Sequence, residues 1–283
     1  MIKIMSDSSA LYSIEEGQAN SVDISPLVVT INDKTYIEYE EISSKEFIDL
    51  KNEGHIPMSS QPPIGQVASL YNKYPDDEII NISMADGLSG TYNSACMAKN
   101  MDSNPERIEV INSRTLCGPQ KYLVDLAVKL VENGYNKAEI IKEIEKSIET
   151  SISFLIPNDF DFLVRGGRIS SLVGKIGSAI TLVPVMMLAE DGKSLTKFTA
   201  KRTFKKAIKK ITEHFIENGV NNEYKIYVTH ALDIALAEEA KNVILNEIPG
   251  VDVEIKELGP VFITQGGPSC VAIQSIKKHE LLK

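Results

Sequence analysis

The stretch IINISMADGLSGTYNSACMAKNM, residues 79–101, decides the fold. It begins with an apolar run at residues 79–82, continues through a polar loop at residues 83–90, and then shows a helical pattern over residues 91–101. A short buried strand that leads through a glycine-bearing loop into a helix is the unit from which parallel α/β proteins are built. The stretch therefore predicts one strand–loop–helix unit of such a protein.

The same alternation of strands and helices extends on both sides of this stretch. Strands are predicted at residues 2–5, 26–31 and 108–111, and helices at residues 41–52, 66–73, 119–132 and 136–150. Because the two kinds of element alternate along the chain, the first half predicts a parallel sheet that is covered by helices.

The second half of the chain has a different pattern, with more predicted strands than helices, and this change predicts a second domain. Strands are predicted at residues 153–156, 183–188, 225–229, 251–255, 261–263 and 271–276, and helices at residues 203–217 and 234–248. We therefore expect an N-terminal α/β domain with a parallel sheet over residues 1–150, followed by a second α/β domain over residues 151–283.

Composition and charge exclude several classes of protein. Of the 283 residues, 43% are apolar and 24% are charged, so the chain is expected to fold around a substantial core. The formal net charge of −9 disfavours contact with phosphate backbones, and nucleic acid is not an expected partner. The most apolar stretch, residues 176–189, is short and interrupted by Pro184, so stable membrane insertion is not expected.

The cysteines and the N-terminus bear on the cellular compartment. Cys96, Cys117 and Cys270 form no CxxC pair, which disfavours both a zinc site and a disulfide framework. The first residues lack the basic and apolar regions of a secretory signal. A cytoplasmic location is therefore expected, and no metal site is expected.

Two segments rich in hydroxyl groups are candidate binding sites. Ser89 and Thr91 lie where a helix is predicted to begin, and a helix start offers unpaired N–H groups to an anion. Ser59, Ser60 and Gln61, followed by two prolines, form a stiff corner rich in hydrogen-bond donors. Each segment alone is also compatible with an ordinary loop before a helix, so spacing leaves both interpretations open.

Two glycine-bearing segments are further candidates. Arg165 and Arg168 flank two glycines, and such arginines can bind a carboxylate or a phosphate through two parallel hydrogen bonds. Gln265 precedes Gly266 and Gly267 and could form a second wall lined by backbone groups. A surface turn with solvated side chains is the ordinary alternative for both segments.

A basic helix face is predicted within this acidic chain. Its cations recur at offsets that place them on one side of a helix, and they are Arg202, Lys205, Lys206, Lys209 and Lys210. This face could contact an acidic or phosphate-bearing partner, or it could simply be solvated.

Histidine is the remaining candidate for catalysis. Only His230, which directly follows a predicted strand, is expected to face a site. Together with Ser89 it would allow a serine-dependent hydrolase or acyltransferase, although Ser89 does not lie in a GxSxG elbow. Metal-binding histidine spacings, a Walker motif and a Rossmann GxGxxG after a strand are all missing from the sequence. A small-anion-sensing regulatory module is the third function that these residues leave open.

Five motifs in this order resemble those of the DegV family over residues 2–278. They are Ser6-Asp7-Ser8, Ser59-Ser60-Gln61-Pro62, Gly87-Leu88-Ser89-Gly90-Thr91-Tyr92, Gly166-Gly167-Arg168-Ile169-Ser170, and Arg202 before the basic helix. Each motif alone is weak, whereas five motifs in register indicate one family.

The resemblance implies a fold, a ligand and a partner. Members of the family bind long-chain fatty acids in a tunnel, which is expected here between or within the two α/β domains. Residues 176–188 could line the tunnel, or they could be ordinary core. Some members are the binding subunits of a bacterial fatty-acid kinase, in which a separate ATP-binding subunit phosphorylates the bound carboxylate to an acyl phosphate. The resemblance therefore implies a binding protein without a cofactor, rather than a self-sufficient enzyme. A monomer is expected, although no motif of the sequence indicates the oligomeric state.

The resemblance also implies roles for individual residues. The expected fatty-acid-binding residues are Ser59, Ser60, Ser89, Gly90, Arg168 and Gln265, and Arg202 is expected to face the kinase subunit. The family commonly has a histidine where this chain has Gln265, and a threonine where it has Ser59. Glutamine can donate a hydrogen bond but cannot become a cation or carry a proton. Fatty-acid binding is therefore the firm expectation, and service to a kinase is the weaker one.

Overall fold

The structure, a computed structural model, describes residues 1–169 and 182–283. Its strands are β1 (Ile2–Asp7), β2 (Val22–Ser25), β3 (Val28–Ile31), β4 (Lys34–Ile37), β5 (Met58–Ser60), β6 (Glu78–Ser83), β7 (Ile108–Asn112), β8 (Ile152–Ile156), β9 (Val183–Leu188), β10 (Leu195–Lys201), β11 (Tyr224–His230), β12 (Asp252–Glu257) and β13 (Val271–Lys277). Its helices are α1 (Ile14–Ala19), α2 (Ser44–Asn52), α3 (Ile64–Asn72), α4 (Thr91–Asn100), α5 (Cys117–Glu132), α6 (Lys137–Ile148), α7 (Phe160–Gly166), α8 (Phe204–Glu217), α9 (Ile234–Glu247) and α10 (Pro260–Gly266).

A parallel sheet forms the first half of the molecule, with its four strands in the order β2-β1-β6-β7. Strand β6 carries Ile79, Ile80 and Ile82, which are all fully buried because helices cover both faces of the sheet. Helices α5 and α6 pack on one face, and α3 and α4 pack on the other. The parallel α/β arrangement predicted from residues 79–101 is confirmed.

A six-stranded sheet forms the second half, in the order β10-β9-β8-β13-β11-β12. Its neighbouring strands are antiparallel except for β11 and β12, which are parallel. Helices α8 and α9 cover one face, where Ile208, Ile211 and Phe215 of α8 are fully buried. The expected second α/β region is confirmed, whereas the division of the chain at about residue 150 stays a prediction.

The strand predicted at residues 261–263 is wrong, because these residues lie in helix α10. Pro260 occupies the first turn of α10, where its missing N–H group and fixed backbone angle suit a helix start. Val261, Phe262 and Ile263 are all buried, so the segment is apolar on every side. Periodicity cannot distinguish a strand from a buried helix in so short an apolar run.

A small antiparallel sheet, in the order β4-β3-β5, was only partly predicted. Strand β3 lies within the strand predicted at residues 26–31, but β4 and β5 were missed. The hairpin between β3 and β4 turns at Asn32 and Asp33, which both have positive φ angles, 53° and 58°. Two such residues between apolar runs are the usual mark of a tight hairpin, and this signal was present in the sequence.

Part of the predicted tunnel lining lies outside the described residues. Ser170, the last residue of the fourth motif, and residues 171–181 belong to the stretch that the structure does not describe. Residues 183–188 form strand β9 of the six-stranded sheet. In the part of the chain that is described, no helix is long and apolar enough to cross a bilayer.

Candidate functional site

A cavity lies between the six-stranded sheet and the first half of the chain. Alternate side chains of strand β13 point to opposite faces of this sheet. Val271 and Ile273 pack under α8 and α9, whereas Ala272 and Gln274 line the cavity. The cavity has an empty volume of about 1080 Å³, including the part that opens to solvent.

Most of the cavity wall is apolar, and both halves of the chain contribute to it. The apolar lining residues are Leu27, Met84, Leu88, Leu116, Cys117, Phe154, Leu155, Leu163, Leu188, Leu195, Leu258, Val261, Phe262, Cys270 and Ala272. A wall of this kind favours apolar groups because binding them releases water from both surfaces. Leu188 belongs to the segment that the sequence suggested for the tunnel lining. Sequence reasoning missed the others, because they come from many separate strands, loops and helices.

The polar lining groups occur in two places, here called the loop end and the strand end. The loop end consists of Ser59, Ser60, Gln61, Ser89, Gly90, Arg168 and Gln265, and the strand end consists of Ser153 and Gln274. The loop end therefore brings together all six residues that the sequence suggested for ligand binding. Their role in binding stays a prediction. Arg202 is exposed just before α8 and does not line this cavity.

Ser89 lies at the start of helix α4, where the sequence predicted an anion-binding loop. Its hydroxyl lies 2.8 Å from Thr91 Oγ1 and accepts a hydrogen bond from Thr91 N at 3.3 Å. The residue at the N-cap itself is Gly90, which offers no side-chain cap. Ser89 and Gly90 both line the cavity, so the start of α4 forms part of its polar edge.

Gly90 is required by the close approach of Gln61. A Cβ atom at position 90 would lie 2.7 Å from Gln61 Cδ, closer than real Cβ atoms come to other carbons. Gln61 is in turn fixed by donation from its Nε2 to Ser94 Oγ at 3.0 Å. The glycine thus lets the corner at Gln61 and the start of α4 form one continuous edge of the cavity.

Arg168 joins the two halves of the chain at the loop end. Helix α7 ends at Gly167, whose left-handed φ of 67° turns the backbone so that Arg168 points back toward the cavity. Arg168 Nε donates to Leu88 O at 3.1 Å, and its Nη1 donates to Gly166 O. The guanidinium group still has donors beyond these two, so it can also bind an anion.

The loop that carries Ser89 also contacts the turn between β9 and β10. Asp86 forms an ion pair with Lys193, and this pairing holds the pKa of Asp86 below its usual range. A Cβ atom on Gly87 would lie 2.6 Å from the carbonyl carbon of Lys193. Asp86 and Gly87 of this loop therefore pack directly against the second half of the molecule.

Gln265 contributes an unpaired acceptor to the loop end. Its Nε2 donates to Ser59 Oγ at 2.9 Å, while its Oε1 is buried and has no hydrogen-bond partner among the described residues. The amide can also be placed the other way round, with its oxygen accepting from Ser59 and its NH₂ group unpaired. In either orientation one polar atom of Gln265 lacks a partner among the described residues.

A buried carboxyl group, missed in the sequence, supports the loop end from behind. Glu38 Oε2 accepts from Ser8 Oγ at 2.6 Å, and its Oε1 accepts from Val261 N in the first turn of α10 at 2.9 Å. Desolvation raises the pKa of Glu38 to about 7. Because α10 also carries Gln265, Glu38 fixes the start of the helix that places Gln265 in the cavity.

The first motif, Ser6-Asp7-Ser8, lies behind the cavity rather than in it. Asp7 Oδ2 accepts from Met84 N at 3.0 Å and so positions the loop that leads to Ser89. Burial raises the pKa of Asp7. Ser8 donates to the Glu38 carboxyl group described above. The motif is thus a structural support for the loop end.

The strand end is fully hydrogen-bonded within the protein. Gln274 Nε2 donates to Leu116 O at 3.0 Å and to Ser153 Oγ at 2.9 Å, and Gln274 Oε1 accepts from Gly118 N at 3.3 Å. Gln274 is only 1% exposed. Gln274 and Ser275 interrupt the apolar stretch 271–276, and this interruption was the sequence signal that could have identified Gln274.

The structure does not assemble a serine–histidine pair. His230 is buried on β11, where its Nδ1 accepts from Asp233 N at 3.1 Å, and it does not line the cavity that contains Ser89. Burial lowers the pKa of His230. Within residues 1–169 and 182–283, no group of three or more His, Cys, Asp or Glu side chains is arranged to hold a metal ion.

Similarity to known proteins agrees with the arrangement of the motifs. The model of the DegV family of uncharacterised proteins matches residues 1–278. The chain belongs to the DegV family. A DegV domain-containing protein of Staphylococcus aureus (strain N315) is 31% identical over 279 residues, which cover 97% of this chain and 98% of that relative.

Solved DegV structures share the fold described above. DegV of Bacillus subtilis, described as a fatty acid binding protein, is 30% identical, with a TM-score of 0.86 and coverage of 98% of this chain and 99% of that chain. A fatty acid binding DegV family protein from Streptococcus agalactiae is 25% identical, with a TM-score of 0.88 and coverage of 99% of both chains. The expected DegV-like fold is therefore confirmed.

Proposed function

We propose that this DegV protein binds one long-chain fatty acid, with its carboxylate at the loop end and its alkyl chain along the apolar wall. The observation that carries the proposal is a single cavity that joins a long apolar wall to a polar cluster of Ser59, Ser89, Arg168 and Gln265. The DegV proteins of Bacillus subtilis and Streptococcus agalactiae, which share the fold, are described as fatty acid binding proteins.

The physical chemistry of the two parts of the ligand suits the two parts of the cavity. Each buried methylene group contributes about 0.8 kcal/mol, so a chain of about fourteen gains on the order of 10 kcal/mol before ordering costs. The carboxylate would accept hydrogen bonds from Ser89 and from the first turn of α4, and it would pair with Arg168. No step in binding needs a covalent bond, so the protein acts as a carrier.

Organic extraction of the purified protein followed by mass spectrometry tests the proposal. We expect a long-chain fatty acid at a ratio near one per chain, and uptake of labelled oleate by the delipidated protein. A protein that is empty and takes up no oleate would contradict the proposal. Binding of a small anion without lipid would instead favour the regulatory module, and cleavage of an ester substrate abolished by Ser89→Ala would favour the hydrolase.

We further propose that the protein presents the bound carboxylate to an ATP-dependent kinase subunit. Lys209 and Lys210 of α8 are paired with Glu247 and Glu213, at 2.9 and 3.0 Å. On the same helix face Arg202, Lys205 and Lys206 are exposed and belong to none of the ion pairs of the described residues. An exposed cationic group of this kind favours an acidic or phosphate-bearing partner.

Hydroxylamine trapping tests the kinase role, because it converts an acyl phosphate into a stable hydroxamate. The lipid-loaded protein is mixed with ATP and the purified ATP-binding subunit of a fatty-acid kinase, and the hydroxamate is measured by mass spectrometry. We expect product with the wild type and little with Arg202→Glu. No product with the wild type would remove the kinase role and leave the carrier role intact. The cytoplasmic location and the monomeric state remain predictions.

A further inference from the structure

We propose that Gln274 and Ser153, the strand end, form a fixed wall that sets the length of the acyl chain that the cavity accepts. This inference rests on the proposed function and adds a specificity-determining pair to it. It follows from the position of the wall along β13, from its hydrogen bonds, and from what lies behind it.

Strand β13 carries the cavity wall from the loop end to the strand end. Cys270, Ala272 and Gln274 all line the cavity at alternate positions. Cys270 lies beside the loop end, because a Cβ atom on Gly266 at the end of α10 would be 2.6 Å from Cys270 Sγ. At about 3.3 Å per residue, Gln274 lies roughly 13 Å farther along the strand than Cys270.

The neighbouring strand β8 changes from apolar to polar at the same level. Leu155 is opposite Ala272 in the ladder, and Ser153 is opposite Gln274. All four residues line the cavity. An alkyl chain that runs along these strands therefore passes an apolar pair and then meets a polar pair on both strands at once.

The polar pair is a wall because Gln274 cannot swing aside. Its amide makes the three hydrogen bonds to Leu116 O, Ser153 Oγ and Gly118 N given above. Moving the side chain would leave the Leu116 carbonyl and the Gly118 amide unpaired in a buried place, which is strongly unfavourable. One added methylene group gains only about 0.8 kcal/mol, which is less than the cost of leaving these two backbone groups unpaired.

A second, polar cavity lies behind this wall. It has an empty volume of about 1070 Å³, includes Arg114, Glu149 and His214 in its lining, and shares Ser153 and Leu188 with the acyl cavity. An acyl chain that extended past the wall would move its end from contact with apolar residues into contact with polar ones. Both the fixed side chains and the polarity beyond them place the end of the acyl chain at Gln274.

Dissociation constants for a series of straight saturated fatty acids of increasing length test the inference. For the wild type, affinity should rise about fourfold per methylene until the chain reaches the wall, and then stop rising or fall. In Gln274→Ala the preferred length should increase, because the wall recedes. In Ala272→Leu it should decrease, because the added side chain fills the cavity in front of the wall.

A matched control separates the wall from general loss of stability. Gln120 is also fully buried and hydrogen-bonded, to Ser6 Oγ and Ile82 O, but it does not line the cavity. Gln120→Ala should lower the melting temperature and leave the preferred length unchanged.

The outcomes distinguish this inference from the proposed function. If Gln274→Ala and Ala272→Leu both keep the preferred acyl-chain length of the wild type, the proposal that Gln274 and Ser153 set this length is refuted. The carrier role would then still stand. If Gln274→Ala does not fold, an unchanged preferred length in Ala272→Leu alone overturns the wall. A wild type that binds no fatty acid of any length would refute the carrier role itself.

Discussion

The two polar ends of the cavity differ in how completely their hydrogen bonds are satisfied. At the strand end, both functional groups of the Gln274 amide are engaged with the protein. At the loop end, Gln265 Oε1 has no partner among the described residues, and the guanidinium of Arg168 has donors to spare. This difference supports the proposal that the carboxylate lies at the loop end and that the acyl chain ends at the strand end.

The difference follows from the elements that carry each end. Ser153 and Gln274 lie on paired strands, where the ladder fixes every side chain relative to its neighbour. The loop end is assembled from β5, the start of α4, the end of α7 and the end of α10, so no single register fixes it. Sites formed by converging loops and helix ends can leave bonding groups open for a ligand.

The largest expected effect concerns the support behind the loop end. Glu38 has an ordinary pKa of 4.5 and a pKa of about 7 in the folded protein. The stabilisation from its neutral form is therefore complete below about pH 4.5, and it is lost, by about 3 kcal/mol, as the pH rises through 7. Glu38→Gln keeps an acceptor for Val261 N and cannot ionise. The free energy of unfolding of this variant should therefore fall much less between pH 5 and pH 8 than that of the wild type.

Urea denaturation at several pH values measures this effect as the difference between the wild type and Glu38→Gln. Glu15→Gln, which removes an exposed glutamate that belongs to none of the ion pairs of the described residues, is the control for the loss of a charge. Parallel pH profiles for the wild type and Glu38→Gln would show that Glu38 does not titrate in this range.

The next effect tests the open bonding capacity of Arg168. Arg168→Ala removes the only lining cation of the loop end that the described residues provide, so fatty-acid affinity should fall by about 2 kcal/mol, or roughly thirtyfold. Arg165→Ala is the matched control, because Arg165 is exposed, stacks on Phe162 and does not line the acyl cavity. Equal losses in the two variants, measured by titration calorimetry, would mean that Arg168 acts only through long-range charge.

A smaller effect is expected from Gly90→Ala at the edge of the loop end. The new methyl group would displace the end of the Gln61 side chain and break its hydrogen bond to Ser94, at a cost of about 1 kcal/mol in stability. Gly65→Ala, in α3 with open space around its Cβ position, should have no such cost. Thermal unfolding of both variants measures the difference, and an unaltered melting temperature in Gly90→Ala would show that Gln61 moves freely.

The smallest expected effect distinguishes a neutral side chain at position 265 from a cationic one as the contact of the ligand's carboxylate. Glu38→Gln removes the titrating group behind the loop end, so this variant should bind fatty acid with nearly the same affinity across pH 6 to 8, because Gln265 does not titrate. The double variant Glu38→Gln with Gln265→His should gain affinity severalfold as the pH falls below about 6.5. A pH-dependent Glu38→Gln variant together with an unchanged profile of the double variant would show that another group controls the carboxylate.

The sequence was most informative where local patterns and spatial arrangement coincide. The unit from β6 through Ser89 to α4 is local, and it was predicted almost to its ends. Gln265 was identified as a wall residue although the strand predicted just before it is the helix α10 that carries it. Spacing alone could not choose between binding and ordinary loops for Ser59, Ser89 or Arg168, because their proximity depends on contacts between distant segments.

Residues that act through distant partners could not be predicted. Glu38 meets Val261, which is 223 residues away in the chain, and no local pattern distinguishes it from an exposed glutamate. Gln274 and Gly118 are separated by 156 residues, so the wall becomes visible only when β13 and the start of α5 are placed together. Both residues are buried and polar, and their structural role depends on their hydrogen-bond partners, which the residue type alone does not reveal.

The contact between the Ser89 loop and the β9–β10 turn has a consequence for the lifetime of the protein. Because Asp86 and Gly87 rest on Lys193, the binding cavity exists only in a chain whose two halves have both folded. A ligand that binds only this state adds about 2.7 kcal/mol of stability when its free concentration is about a hundredfold above Kd. If the cavity binds a fatty acid as proposed, chains without lipid would open more often and be degraded sooner, and the abundance of the protein would follow the supply of that fatty acid.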